Sequence, residues 1–206
     1  MRLKIIPCLL WASVACIGLA QSPGAFTATG NTTMGRWFHT ATLLANGQVL
    51  IAGGGGSAGS AELYNPANGT FTATGEMSTR RISGHTATLL ADGRVLIAGG
   101  AIASSSTGVT NTRSAELYDP STGTFAATSN MIEARACPAA VLLGNGKALI
   151  VGGANWNEPS KVPGAELYDP ASGTFGVAGE YATTNLRRNP DFGLCPKAIL
   201  LPDGGV

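Results

Sequence analysis

The chain has 206 residues, with 13 lysines and arginines against 12 aspartates and glutamates, a formal net charge of +1 and only 12% of its residues charged. That balance excludes the basic field a nucleic-acid partner needs. With 44% hydrophobic residues and 29 glycines, the composition also excludes a disordered tail or a coiled coil, and the length admits one or two ordinary domains.

Arg2 and Lys4 open the chain, residues 5–20 are apolar except for Ser13, and Gly18-Leu19-Ala20 supplies the small residues a signal peptidase needs. Residues 1–20 are therefore predicted to be a cleaved secretory signal, leaving residues 21–206 secreted, periplasmic or at the cell surface. A membrane anchor competes with this reading, but sixteen apolar residues interrupted by Pro7 are short for a span, so no membrane span is expected after cleavage. Lipidation of Cys16 is a third reading; Val14-Ala15 precede it, yet Ser13 stands where a lipobox prefers leucine. Cleavage removes two of the 13 basic residues and none of the 12 acidic ones, which moves the net charge to about −1.

Phe26 to Gly30 (FTATG) reads as a lone strand of the kind that later closes each repeat. A full unit follows: His39 to Leu44, the pair Asn46-Gly47, Val49 to the glycines Gly53 and Gly54, then Ser60 to Phe71 (SAELYNPANGTF). The unit returns as His85 to Gly100 with Ser114 to Phe125 (SAELYDPSTGTF). It returns again, with drift, as Pro138 to Gly153 with Gly164 to Phe175 (GAELYDPASGTF). A fourth copy begins at Pro196 (PKAILLPDGGV). From Phe26 to Phe71, Phe125 and Phe175 the spacings are 45, 54 and 50 residues, in the range of propeller blades.

Each unit holds four short runs rich in β-branched, leucine and aromatic residues; in the second they are His85 to Leu90, Arg94 to Ala98, Ala115 to Tyr118 and Thr124 to Thr128. Asn46-Gly47, Asp92-Gly93, Asn145-Gly146 and Asp203-Gly204 separate the first two runs, and such pairs accept positive φ at both centres of a tight hairpin turn. Asn65-Pro66, Asp119-Pro120 and Asp169-Pro170, with Gly69, Gly123 and Gly173 three residues after the proline, predict the turn between the last two. Four antiparallel strands per unit and no helical periodicity give an all-β fold. Sheets of this kind bury both faces by stacking radially, as a β-propeller.

The glycine pairs (Gly53-Gly54, Gly99-Gly100, Gly152-Gly153), a following tyrosine and an aromatic after a six-residue gap (Tyr64 and Phe71, Tyr118 and Phe125, Tyr168 and Phe175) resemble the kelch motif over residues 26–206. Phenylalanine replaces the usual tryptophan as a smaller filler of the same packing site. The resemblance implies a ring of six or seven blades closed by its terminal strands. Three complete repeats with partial ones at both ends therefore predict a fragment or truncated product with an unpaired sheet edge.

Residues that recur in every unit are explained by blade packing before chemistry. His39 and His85 are one position; Glu62, Glu116 and Glu166 are another; Arg36, Arg81 and Arg135 recur near the first strand, so one buried glutamate–arginine bridge per blade is expected. Glu133, Glu158 and Asp191 are the acids without counterparts, too scattered for acid–base work, and no Ser-His-Asp or Cys-His set assembles. No catalytic residue, metal ligand or cofactor is called for. The resemblance extends to galactose-oxidase-like copper radical oxidases, whose tyrosine and histidine ligands would have to lie beyond residue 206. Cys137 and Cys195 both precede proline at the position before His39 and His85. A disulfide between neighbouring units would join them if the blades do not diverge too far there.

The two kinds of turn keep their lengths from unit to unit, while the connections between the second and third strands have 6, 14 and 11 residues. These connections share one end of the disc with the links between blades, so that face is predicted to bind a protein or glycan. Candidate residues are Asn155, Trp156, Asn157, Glu158 and Lys161 in the third connection, with Arg113, Arg187 and Arg188 beside it. Trp156 either stacks on a ligand or folds back onto the blade. Asn31-Thr32-Thr33 and Asn68-Gly69-Thr70 are glycosylation sequons.

Overall fold

The computed structural model describes residues 28–104, 108–155 and 164–179, and among them every regular element is a β-strand. Strands β1 (Thr40–Leu43), β2 (Val49–Ala52), β3 (Ala61–Asn65) and β4 (Thr70–Ala73) form the first antiparallel sheet in that order. The link to the next blade carries β5 (Arg81–Ser83). The second sheet comprises β6 (Thr86–Leu89), β7 (Val95–Ala98), β10 (Ala115–Asp119) and β11 (Thr124–Ala127), with β8 (Ala101–Ser104) and β9 (Gly108–Asn111) inserted between β7 and β10. The third comprises β12 (Ala139–Leu142), β13 (Ala148–Val151), β14 (Ala165–Asp169) and β15 (Thr174–Gly179). The first strands lie side by side in succession, β1 against β6 and β6 against β12. Three consecutive blades thus share an axis, and the described residues form an arc of a β-propeller.

The turns differ from expectation in one detail. Gly47, Gly93 and Gly146 are left-handed, but Asn46, Asp92 and Asn145 are not. The Gly47 amide donates to Leu44 O and the Leu44 amide to Gln48 O, so the turn is a three-residue loop rather than a two-residue one. Asn46 Oδ1 accepts the Gln48 amide, which fixes the Asx side chain without a positive φ. The proline turns behave as predicted: Asn65, Asp119 and Asp169 each accept the amide two residues on. A second difference lies in the 14-residue connection of the second blade. It folds as the hairpin β8–β9, which pairs with β5 to make a separate three-stranded sheet.

The core lies between blades. On β7, Leu96 and Ala98 face one neighbour and Val95 and Ile97 the other, and all four are buried. Leu44, Leu50, Ala52, Ala61 and Met77 of the first blade pack against Val95, Ile97 and Tyr118 of the second. Leu90, Leu96, Leu117 and Met131 repeat that packing against Ala148, Ile150 and Tyr168 of the third. Each leucine or isoleucine so buried contributes roughly 1.5–3 kcal/mol. The motif tyrosine and phenylalanine are direct cross-strand partners, with ring centroids 4.8 Å apart in Tyr118 and Phe125.

A hydrogen bond locks each outer seam. Thr74 Oγ1 donates to Gly123 O at 3.2 Å, so the Tyr118 hydroxyl, 2.9 Å away, must donate to Thr74. Thr128 makes the same contacts with Tyr168 and Gly173. Thr29 does so with Tyr64 and Gly69, and the Gly30 amide also donates to Gly69 O. Residues 28–30 are not in a strand, but they occupy the place that the end of an outer strand takes at the other seams.

The expected glutamate–arginine bridges are present. Arg36 Nε lies 2.8 Å from Glu62, Arg81 Nη2 3.5 Å from Glu116 and Arg135 Nη2 2.5 Å from Glu166, all buried. Burial lowers the Arg81 guanidinium to about 10 against the opposing pull of Glu116, so it stays charged at neutral pH.

Tyr118→Phe and Thr74→Val are each expected to cost about 1 kcal/mol, a fall of about 2–4 °C in Tm, and the double variant little more; additive losses would show that the two hydroxyls do not act together. Glu116→Ala and Arg81→Ala should each destabilise by about 3–5 kcal/mol in urea titrations, with the double variant well below the sum.

Candidate binding face

Among the described residues, the connections between second and third strands and the links between blades leave the sheets at the end opposite the fixed turns. Each buried arginine organises this end. Arg81 Nη1 donates to Gly99 O at 2.7 Å and Ser114 O at 3.1 Å, tying together the ends of β7 and β10 where the hairpin β8–β9 departs. Arg135 does the same with Gly152 and Gly164, and Arg36 with Gly53 and Ser60. The glutamate of each pair accepts amides from the incoming link: Ser78 and Thr79 on Glu116, Ile132 and Glu133 on Glu166, Thr33 on Glu62.

The glycine pairs have a steric reason here. Gly99 and Gly100 are left-handed, φ 66° and 99°, and a Cβ on Gly99 would come within 2.6 Å of Arg135 O. Gly100 donates its amide to that same carbonyl. Only glycine lets the strand end slip past the next blade's link.

Two residues before each first strand the chain is also left-handed: Phe38 at 59°, Gly84 at 65° and Cys137 at 53°. The Cys137 amide donates to Gly84 O at 2.7 Å, and a Cβ on Gly84 would lie 3.2 Å from Cys137 Sγ. These equivalent positions of the second and third blades therefore touch near the axis. Cys137 is disulfide-bonded, while Cys195 lies outside the described residues.

The same histidine position has two fates. His39 is exposed, whereas His85 is buried across the first seam, its Nε2 3.1 Å from Ala52 O and 3.2 Å from Thr40 Oγ1. Burial, with the Arg81 charge second, pushes the His85 ring down to about 4.

On the variable face, a groove of about 550 Å³ lies between the first and second blades. Ala58 of the first blade's connection, Ser78, Thr79 and Arg80 of the link, Ile82 of β5 and Ile102 of β8 line it. Ser78 Oγ bonds Glu116, and Ser114 Oγ donates to Thr79 Oγ1 at 3.1 Å, which fixes the polar wall. Arg80 and the predicted Arg113 are exposed. Asn155 is buried, 4% exposed, rather than displayed to a ligand. Trp156, Asn157, Glu158, Lys161, Arg187 and Arg188 lie outside the described residues. The groove was not foreseen; its signal was the doubled Arg80-Arg81 together with the longest of the three connections.

No group of three His, Cys, Asp or Glu side chains able to hold a metal occurs among the described residues, and no helix there is long and apolar enough to cross a membrane. Neither a family model nor a curated protein matches the sequence. Solved structures do. The structure of YjhT matches with a TM-score of 0.64 at 17% identity, over 75% of this chain and 54% of that one. A fungal alcohol oxidase of the AA5 family, solved in complex with copper, matches with a TM-score of 0.50 at 21% identity, over 69% of this chain and 31% of that one. The chain thus spans about half of the first structure and a third of the second. The protein is of the β-propeller class, and these likenesses define its fold alone.

Because the unfolded His85 titrates near 6.5 and the folded one near 4, the unfolded state binds the extra proton between those values. Stability is full above about pH 6.5 and should fall by about 3 kcal/mol as pH drops towards 4. His85→Gln, which keeps a donor and cannot titrate, should flatten that limb in denaturant titrations at successive pH values; an unchanged slope would refute it.

Proposed function

We propose that this chain belongs to a secreted kelch-type propeller serving as an interaction scaffold, whose variable-connection face holds a protein or glycan ligand. One observation carries the reading: the turns at one end of the disc repeat with fixed geometry, while the connections at the other end differ in length and frame a groove. A rigid scaffold with variation confined to one face is how propellers and other repeat folds present binding loops. The signal-like residues 1–20 support the extracellular address. The Cys137 disulfide supports it too, since such bonds persist in oxidising compartments. Cys195, at the equivalent position of the next unit, is its proposed partner, in keeping with the close approach of Gly84 and Cys137.

A copper radical oxidase is the second reading, favoured by the likeness to the AA5 alcohol oxidase. The described residues do not fit a copper site of the tyrosine–histidine kind. Tyr64, Tyr118 and Tyr168 spend their hydroxyls on the outer seams, and His85 is buried against Ala52 and Thr40.

Glycan-array and pull-down binding by the full-length protein should be reduced by Trp156→Ala; unchanged binding would remove that connection from the site. Copper analysis with a hydrogen peroxide assay separates the two readings, since stoichiometric copper with turnover would establish the oxidase.

A further inference from the structure

We propose that Trp37, seated on the glycines of the first blade's connection, is a stacking platform for a sugar ring of a neutral β-linked glycan. The assignment rests on the scaffold reading and deepens it by naming the ligand class and the residue that meets it.

The repeat isolates this residue. Where each incoming link pairs with the connection leaving the second strand, Ser83 stands opposite Ala101 and Ala136 opposite Ala154, whereas Trp37 stands opposite Gly55. Small side chains satisfy the packing there, and Ala136 is fully buried. Trp37 is 59% exposed, so filling the blade does not explain an indole at this position.

The seat fits the ring. The Gly55 amide donates to Trp37 O at 2.9 Å, and a Cβ on Gly55 would overlap Cε2 and Nε1 of the indole. A Cβ on Gly56 would lie 3.2 Å from Cζ3. The second and third blades have Ala101-Ile102 and Ala154-Asn155 in these places, so two glycines accompany the one tryptophan. Ser57, the next residue, donates its hydroxyl to Met34 Sδ at 3.2 Å, which holds a second exposed apolar side chain on the same connection. A ring held in this way loses little freedom on meeting a ligand.

Charge and hydrogen bonding select the ligand. Between residues 28 and 60 Arg36 is the only lysine, arginine, aspartate or glutamate, and it is buried against Glu62. Arg80 meets the connection further on, at Gly59. A cationic ligand would lack the neighbouring carboxylate that offsets its loss of water. Proline-rich peptides dock in aromatic-lined grooves, and Trp37 makes no ring contact with another aromatic among the described residues. In a β-linked glucose chain the ring substituents are equatorial, so each face presents only C–H groups and the hydroxyls lie at the rim. Such a face covers an indole. The Trp37 Nε1–H, which forms no hydrogen bond among the described residues, remains to donate to a rim hydroxyl.

The test titrates cellohexaose into the full-length protein by isothermal titration calorimetry. Trp37→Ala is expected to weaken binding by about tenfold or more, Trp37→Phe by about threefold, and Gly55→Ala, which keeps the indole but displaces it, by about tenfold. Trp156→Ala should bind cellohexaose as the parent does, and the two Trp37 variants, altered at an exposed side chain, should melt within about 2 °C of the parent. No binding of cellohexaose, equal binding by Trp37→Ala, or binding confined to a hexaproline peptide or to choline would each overturn the proposal. If cellohexaose fails while a ligand sensitive to Trp156→Ala is captured, the platform assignment falls and the scaffold reading stands.

Discussion

Each blade depends on one buried ion pair and its hydrogen bonds. In the second blade the Arg81 guanidinium ties Gly99 to Ser114, and the Glu116 carboxylate holds the amides of Ser78 and Thr79. Two strand ends and the chain arriving from the previous blade are thus gathered at one point. Taking two charges out of water is costly, and the cost is offset only because the pair also satisfies backbone groups that would otherwise be buried unbonded. The gain is positional. Connections of 6, 14 and 11 residues can leave such a point without disturbing the sheet, because its corner is fixed by side chains rather than by the loop.

The arginine junction secures one end of the disc, and the tyrosine–threonine bond secures the outer rim. Between them lies a core in which every β7 side chain is buried, which is why this strand reads as the unbroken apolar run VLIA and not as an alternation. Near the axis, left-handed Gly84 and Cys137 meet between the second and third blades, the Cys137 amide donating to Gly84 O. Gly84 accepts that conformation without strain, whereas Phe38 and Cys137 hold it at a cost of order 1–3 kcal/mol each.

The repeat made the blades legible. Strand order, the cross-strand pairing of Tyr118 with Phe125 and the glutamate–arginine pairs all follow from aligning the units with one another. What alignment could not show was conformation without a residue signature. Left-handed Phe38 and Cys137 are invisible unless Gly84 is recognised as their counterpart. The tight turn expected at Asn46-Gly47 gained a residue because the asparagine side chain accepts the Gln48 amide instead of the residue taking positive φ. The 14-residue connection looked like a loop because residues 101–104 and 108–111 lack the alternation of a half-buried strand, and their pairing with β5 is set by tertiary contact. On the variable face, Arg113 was legible as part of a connection, and it is exposed there. Asn155, a candidate from the same kind of connection, is buried, which its polar local sequence does not signal.

The rim hydroxyl has a consequence for what can stand next to the third blade. Thr29, Thr74 and Thr128 all lie three residues after a phenylalanine, and at that place after Phe175 the chain has Ala178. A methyl group offers no oxygen to an incoming phenol. Any sheet seated against β15 must either recruit a water for its tyrosine or carry phenylalanine there, so this joint follows a different substitution rule from the three before it.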